Sequence, residues 1–325
     1  MAHANIYVTR MIPQQNIDAL RAVHHVEVNP HDRALTRDEL LEAVRGRDAV
    51  ITLLTDTVDA EVLDAAGPQC RIFANYAVGF NNFDVAAATA RKIVMTNTPG
   101  VLDDATAAHA WALLFAVTRR ISEAERYVRA GRWEGWAPMA FIGQDIDHKT
   151  VGVAGLGRIG AKFARKAKAF DMKVIYTDAH PNRMLEDELG ATFVDKETLL
   201  READFLSLHL PLTPETRHYL GAREFALMKK TAVLINAARG PLVDERALVT
   251  ALREKMIWGA GLDVFENEPD LADGLSELEN VVVVPHIASA TIETRIAMGN
   301  IAVGNVLSVL NGERPQNCVN PEGLV

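Results

Sequence analysis

The feature that most limits what this chain can fold into is a recurring short apolar run with little internal alternation. In the second half such runs occupy residues 150–155, 173–176, 205–208, 233–236, 261–263 and 281–284, and the last is four consecutive valines. A half-exposed antiparallel strand would alternate apolar and polar residues, whereas unbroken runs suit strands buried on both faces of a parallel sheet. The gaps between runs leave room for crossover helices, such as residues 159–170, so a doubly wound α/β topology is the economical one. Residues 6–9, 26–28, 49–54 and 72–75 repeat the pattern nearer the N-terminus, with a helical stretch near residues 17–20. That makes a smaller α/β unit in its own right.

Pro99 and Gly100 punctuate the end of this first series, and a helix rich in Ala, Leu and Trp is predicted from about Asp104 to Ala130. A closing helix from about Thr291 to Leu310 follows the last strand and returns to the first unit. The expected domains are therefore residues 1–98 plus 288–325, a discontinuous substrate domain, and residues 99–287, a dinucleotide-binding domain.

Charge and cysteine usage narrow the function classes. The 325 residues carry 34 Lys and Arg against 43 Asp and Glu, a formal charge of −9, which argues against a nucleic-acid or anionic-membrane partner. Cys70 and Cys318 are too few for a disulfide framework or a zinc site, so no metal is expected and a reducing cytosol is the natural compartment. Residues 1–10 lack the basic and apolar regions of a secretory signal, and no run approaches the ~20 apolar residues that span a bilayer. A cytoplasmic protein is expected.

The segment Gly155-Leu156-Gly157-Arg158-Ile159-Gly160 fits the dinucleotide fingerprint, after a strand and before a helix. Its glycines allow a tight turn and close approach of a pyrophosphate, whose charge faces the helix N-terminus. Two Rossmann-like parallel-sheet domains are then the expected fold. Asp178 lies 23 positions after Gly155, near the ~20-residue spacing at which a carboxylate accepts from the adenosine ribose. It would repel a 2′-phosphate, so NAD is expected over NADP; Arg183 is the nearby cation that opposes this, and a turn-capping role is the alternative for Asp178.

Three further segments directly follow apolar runs: residues 236–240, 263–269 and 285–289. They bring Arg239, Glu268 and His286 to one sheet edge, where open α/β sheets bind ligands. Reducing a carbonyl places negative charge on oxygen, so such a site needs a proton donor titrating near neutrality and a cation that fixes the substrate. His286 suits the first role, with Glu268 favouring its imidazolium, and the planar fork of Arg239 suits a carboxylate. Glu266 and Asp270 look no different from Glu268 by composition.

Together these motifs resemble the D-isomer-specific 2-hydroxyacid dehydrogenase family over essentially the whole chain. Residues 75–84, residues 133–143 and the Arg239, Glu268, His286 set are most similar to its glyoxylate and hydroxypyruvate reductase branch. The resemblance implies that His286 protonates the carbonyl with support from Glu268, that Arg239 clamps the carboxylate of a small 2-oxo acid, and that Val78 and Gly79 present backbone amides to it, with Leu54 beside them. It places Thr106, Ala237, Asp263 and Ala288 around the nicotinamide, and His209, Pro211, Thr216, Ala238, Arg239 and His286 among the cofactor contacts. Ala108 and His109 depart from the family, which commonly has an acidic residue there. Glu268 argues against formate dehydrogenase, which lacks that partner.

Trp133 and Trp136 lie on a Gly/Pro-punctuated loop at residues 131–138. Ala107, Ala110, Trp111, Leu114 and Phe115 fall on one side of the preceding helix, more apolar surface than a monomer would expose. A homodimer is expected, and the resemblance implies that Trp136 reaches the neighbouring subunit's substrate site. Rival readings are a phosphoglycerate dehydrogenase-like activity, against which the chain's end at Val325 speaks, and a dinucleotide-sensing corepressor.

Overall fold

The computed structural model describes residues 3–323. Met1 and Ala2, at the head of the stretch read for a secretory signal, and Leu324 and Val325, in the 288–325 segment, lie outside the described residues. The chain divides into two compact units, Met1–Leu102 with Ala290–Val325, and Asp103–Ser289.

The first unit runs β1 (Asn5–Val8), α1 (Gln14–Arg21), β2 (His25–Val28), α2 (Arg37–Ala43), β3 (Ala49–Thr52), α3 (Ala60–Ala66), β4 (Ile72–Asn75), α4 (Val85–Ala90) and β5 (Val94–Thr96). All strands pair in parallel in the order β2-β1-β3-β4-β5. The strand order reverses between β1 and β3. Asp59 and Asp84 cap α3 and α4 by accepting from Val62 and Ala87 N–H, contacts worth about 1 kcal/mol each.

The second unit comprises α5 (Asp103–Thr118), α6 (Ile121–Arg129), β6 (Thr150–Ala154), α7 (Arg158–Ala167), β7 (Lys173–Thr177), α8 (Arg183–Leu189), β8 (Thr192–Phe193), α9 (Lys196–Glu202), β9 (Phe205–Leu208), α10 (Ala222–Leu227), β10 (Val233–Asn236), α11 (Glu245–Arg253), β11 (Gly259–Leu262) and β12 (Val281–Val283). Its parallel sheet has the order β12-β11-β10-β9-β6-β7-β8. Strand β8, two residues long, is the one element here too short to read as an apolar run. The four residues of β9, β10 and β11 are all buried, which explains their unalternating sequence. The last helix, α12 (Ile292–Leu310), belongs to the first unit, where it packs on α1 and β4.

One expectation fails. The helix predicted from Asp104 to Ala130 is two helices, interrupted at Arg120, whose φ of 51° is left-handed. Ala107, Ala110, Trp111 and Leu114 of α5 are buried, because α5 is apolar all round and lies between the sheet and α7. They leave no free apolar face for a partner. The exposed apolar groups lie further on: α6 has no buried residue, and Ile121, Val128, Trp133, Trp136, Met139 and Ile142 are exposed, Trp136 to 86%.

Candidate active site

The strand order of the second sheet reverses between β6 and β9, and the Gly-rich turn leaves β6 at that point. Gly155 has a φ of +93°, and a Cβ there would stand 2.9 Å from the His209 carbonyl carbon and oxygen. A Cβ at Gly160 would lie 2.1 Å from the Gly155 carbonyl oxygen. Backbone packing thus demands glycine at both positions. A Cβ at Gly157 would meet nothing within 4 Å, and as N-cap of α7 this residue caps no amide. The first-turn N–H groups of α7 therefore receive no side-chain cap from Gly157, and this open, glycine-lined turn fits a dinucleotide pyrophosphate.

Asp178, at the end of β7, brackets this loop. Its carboxylate accepts from Leu156 N–H at 2.8 Å and from Ala179 N–H at 2.7 Å, so the turn-capping role read as an alternative is present. Each oxygen retains a second acceptor site. Arg183 is paired with Glu186 at 3.0 Å on the surface, and Arg158 with Asp103 at 3.3 Å. His209, after β9, shares a 2.9 Å hydrogen bond between Nε2 and Ser207 Oγ, and burial pushes its pKa down to about 3, so the ring is neutral. Thr216 donates to the Pro211 carbonyl at 2.7 Å and closes a turn. Thr106, Ala237 and Ala288 are buried and Ala238 is half-buried.

Neighbouring strands β10, β11 and β12 carry the candidate residues Arg239, Glu268 and His286 in the segments past their carboxyl ends. Asn236 shapes the first loop, donating to the Arg239 carbonyl at 2.9 Å and accepting from Ala238 N–H at 3.1 Å. Burial lowers the Arg239 pKa, and the Glu268 carboxylate opposes that shift; the guanidinium stays charged. After β12, His286 has a left-handed φ of 53°, and its Nδ1 lies 2.9 Å from Glu268 Oε2. Glu268 Oε1 accepts from Phe265 N–H at 3.1 Å. Burial pushes the Glu268 pKa up, but the His286 hydrogen bond and charge, the Phe265 amide and Arg239 outweigh it and hold the carboxyl below its usual range. An ionised carboxylate only accepts, so Nδ1 carries hydrogen and Nε2 is the atom left for other chemistry.

Sequence reasoning misses what holds His286 in place. Asp263 is fully buried and its carboxylate accepts from Ile287 N–H at 2.7 Å and Ala288 N–H at 2.9 Å, while its carbonyl takes the His286 N–H at 2.9 Å. Three consecutive amides on one residue fix an otherwise unfavourable backbone. His109 Nε2 lies 3.3 Å from the same carboxylate, which locates that departure from the family pattern. Glu245, buried at the start of α11, accepts from Glu266 N–H at 2.5 Å and Ala272 N–H at 3.1 Å. Glu266, chemically identical to Glu268 in the sequence, points elsewhere: its carboxylate meets His218 Nε2 at 2.6 Å and Arg217 at 3.0 Å. No spacing rule in the sequence separates the two glutamates; their hydrogen bonds do.

In the first unit, taken by itself, Val78 and Gly79 follow β4. Asn97 donates to the Val78 carbonyl at 2.7 Å and Asn75 to the Gly79 carbonyl at 2.8 Å. With both carbonyls held inward, the Val78 and Gly79 N–H groups have no partner among the described residues. Leu54, after β3, is exposed.

Residues 111–288 match the family model described as D-isomer specific 2-hydroxyacid dehydrogenase, NAD binding domain. The glyoxylate reductase of Thermococcus litoralis is 49% identical over 323 residues, covering 98% of this chain and 97% of that protein. The chain belongs to the D-isomer specific 2-hydroxyacid dehydrogenase family. It is accordingly an NAD(P)-dependent oxidoreductase, in the glyoxylate reductase branch. The TT0316 protein of Thermus thermophilus has the same fold, with a TM-score of 0.92 and 44% identity covering 97% of this chain and 99% of that one. An NADPH-dependent glyoxylate/hydroxypyruvate reductase from Sinorhizobium meliloti, solved with NADP and malonate, has a TM-score of 0.85 and 33% identity over 99% and 98% of the two chains. Among the described residues no group of His, Cys, Asp and Glu could hold a metal, and no helix is long and apolar enough to cross a membrane.

Proposed function

We propose that this enzyme reduces glyoxylate or hydroxypyruvate to the corresponding 2-hydroxy acid, of D configuration where the product is chiral. The observation that carries the reading is the His286 Nδ1 to Glu268 contact of 2.9 Å beside a charged, half-buried Arg239. The nicotinamide of a dinucleotide bound at the Gly-rich turn would supply the hydride that the carbonyl carbon needs. His286 gives its Nε2 proton to the carbonyl oxygen and is left neutral, to be reprotonated from solvent. Glu268 holds the ring's orientation and favours its charged form, and Arg239 pairs with the substrate carboxylate. Asp263 acts through His286 by holding the backbone of residues 286–288.

NADH is the proposed cofactor, because the Asp178 carboxylate beside the Gly-rich turn would repel a 2′-phosphate and Arg183 is engaged by Glu186. For the first unit we retain Val78 and Gly79 as amide donors to an anionic oxygen, with Leu54 beside them. The amphipathic α6, in which no residue is fully buried, and the exposed Trp136 loop support a homodimer, and the low cysteine count supports a cytoplasmic enzyme.

Steady-state rates with glyoxylate, hydroxypyruvate, pyruvate and 3-phosphohydroxypyruvate, each with NADH and NADPH, test the reading. The first two with NADH should give the highest kcat/KM. His286→Asn and Arg239→Ala should each lower reductive turnover by on the order of 10²-fold or more. Near-normal turnover in either variant would overturn the assignment.

A further inference from the structure

The first sheet has a reversal of strand order of its own, between β1 and β3, and open parallel sheets bind ligands in the crevice past the carboxyl ends at such a point. A hollow of about 370 Å³ lies there, lined by Arg10 and Ile12 after β1, Leu53 after β3, Tyr76 after β4 and Arg295 from the first turn of α12. That volume lies within the range of small-ligand sites. Every one of these residues belongs to the first unit.

The rim is built rather than incidental. The buried Asp56 carboxylate accepts from Thr9 Oγ1 at 2.5 Å and Leu53 N–H at 2.8 Å, tying the ends of β1 and β3 together. Asn82 donates to the Leu53 and Asp56 carbonyls at 3.1 and 2.9 Å. Tyr76 donates its hydroxyl to the Arg295 carbonyl at 2.5 Å, fixing the start of α12 to the end of β4. Burial pushes the Tyr76 phenol up to about 12 against the pull of the Arg295 charge, so it remains a donor committed to that carbonyl.

The two arginines are unequally occupied. Arg10 is held by Asp32 through Nε at 2.8 Å and through Nη2 to its carbonyl at 3.0 Å. The Arg295 guanidinium has no hydrogen-bond or carboxylate partner among the described residues. Two cations line this hollow together with Ile12 and Leu53, and the Arg295 guanidinium presents five donors that call for an acceptor oxygen.

We propose that this hollow receives an oxygen substituent on C3 of the 2-oxo acid, with Arg295 as the specificity-determining donor. The proposal rests on the reading above that Leu54, Val78 and Gly79, chain neighbours of Leu53 and Tyr76, contact the substrate. Glyoxylate has no C3, pyruvate has a bare methyl, hydroxypyruvate has a hydroxyl and 3-phosphohydroxypyruvate a phosphate. A site built to donate to an oxygen favours the acid that carries it over one that lacks it, because with the latter its polar group is left unpaired.

The test is kcat/KM for these four acids in the wild type and in Arg295→Met, Arg295→Lys and Arg10→Met. Arg295→Met should lower the hydroxypyruvate-to-glyoxylate ratio about tenfold or more, and Arg295→Lys should restore part of it. If the natural oxygen is a phosphate, the 3-phosphohydroxypyruvate rate should fall further than the hydroxypyruvate rate, and Arg10→Met should lower it too. An unchanged ratio in Arg295→Met, or an equal fall on all four acids, would overturn the proposal. A wild type inactive on all four would instead overturn the reading beneath it. Calorimetric titration of the wild type and Arg295→Met with D-glycerate then judges the hollow by itself: binding lost in the variant supports it, and equal binding rejects it.

Discussion

At the residue scale the site depends on which atom faces which. Glu268 touches His286 through Nδ1 and leaves Nε2 as the nitrogen proposed to do the chemistry. Glu268→Gln keeps the shape and removes the charge that favours imidazolium. The alkaline fall-off of the reduction rate should move to lower pH, since a proton donor without its counter-charge empties sooner as pH rises, while NADH affinity stays within about twofold. The measurement is a pH–kcat profile of both enzymes; superimposable profiles would show that the carboxylate does not tune the ring. A stability component runs the other way. A carboxyl held below its usual range in the folded state stabilises above its unfolded value near 4.3 and loses that contribution as pH falls through the folded value. Since Glu268 is partly exposed, that component is small.

The element scale shows why some of this is legible in the sequence and some is not. Buried parallel strands write themselves as apolar runs, and residues just past β10, β11 and β12 fall on one sheet edge, so position alone brings Arg239, His286 and the Glu266–Glu268 pair together there, and hydrogen bonds tell the two glutamates apart. The Gly-rich turn is legible for a similar reason: Gly155 and Gly160 face backbone atoms that no side chain could clear. What escapes are contacts whose partners lie far apart in the chain. The Asp263 carboxylate sits 24 and 25 residues from the amides it holds, and Glu245 sits 21 residues from Glu266. The helix after Asp104 misleads for another reason, since an all-round apolar helix looks like one with a free face until both of its neighbours are known.

The turn after β11 carries a prediction at this same scale. Glu266 joins it to Arg217 and His218 of the segment that follows Thr216, a segment expected to touch the cofactor. Glu266→Ala should therefore loosen both, raising the KM for NADH and shifting the pH profile of kcat together. Glu266→Gln, which keeps an acceptor for the Arg217 and His218 donors, should recover part of each. Thermal unfolding of the variants would show whether the loss is merely global: a lower Tm with an unchanged pH profile would deny the turn any role in positioning Glu268.

For the whole molecule, the exposed apolar residues of α6 and residues 131–142 form one continuous stretch of sequence, unlike the scattered single exposures normal to a monomer surface. Light scattering at micromolar concentration should give about twice the chain mass, as a two-fold pair would. Trp136→Ala should change the ratio of kcat/KM between two oxo acids and leave NADH binding nearly unaltered. A fully active monomer would dismiss both expectations.

The return of α12 to the first unit has a consequence for how the chain is made. Synthesis proceeds from the N-terminus, and domains generally fold as units once their residues have emerged. The first unit begins the chain, yet its sheet lacks the cover of α12, against β4 and α1, until residue 310 has been added. The second unit is contiguous and ends at Ser289, so it completes itself earlier although it starts later. On stalled ribosomes, brief proteolysis of chains with about 290 residues emerged should therefore leave a protected fragment from the Asp103–Ser289 region and digest the segment before it. The half of the protein synthesised first would be the half that becomes resistant last.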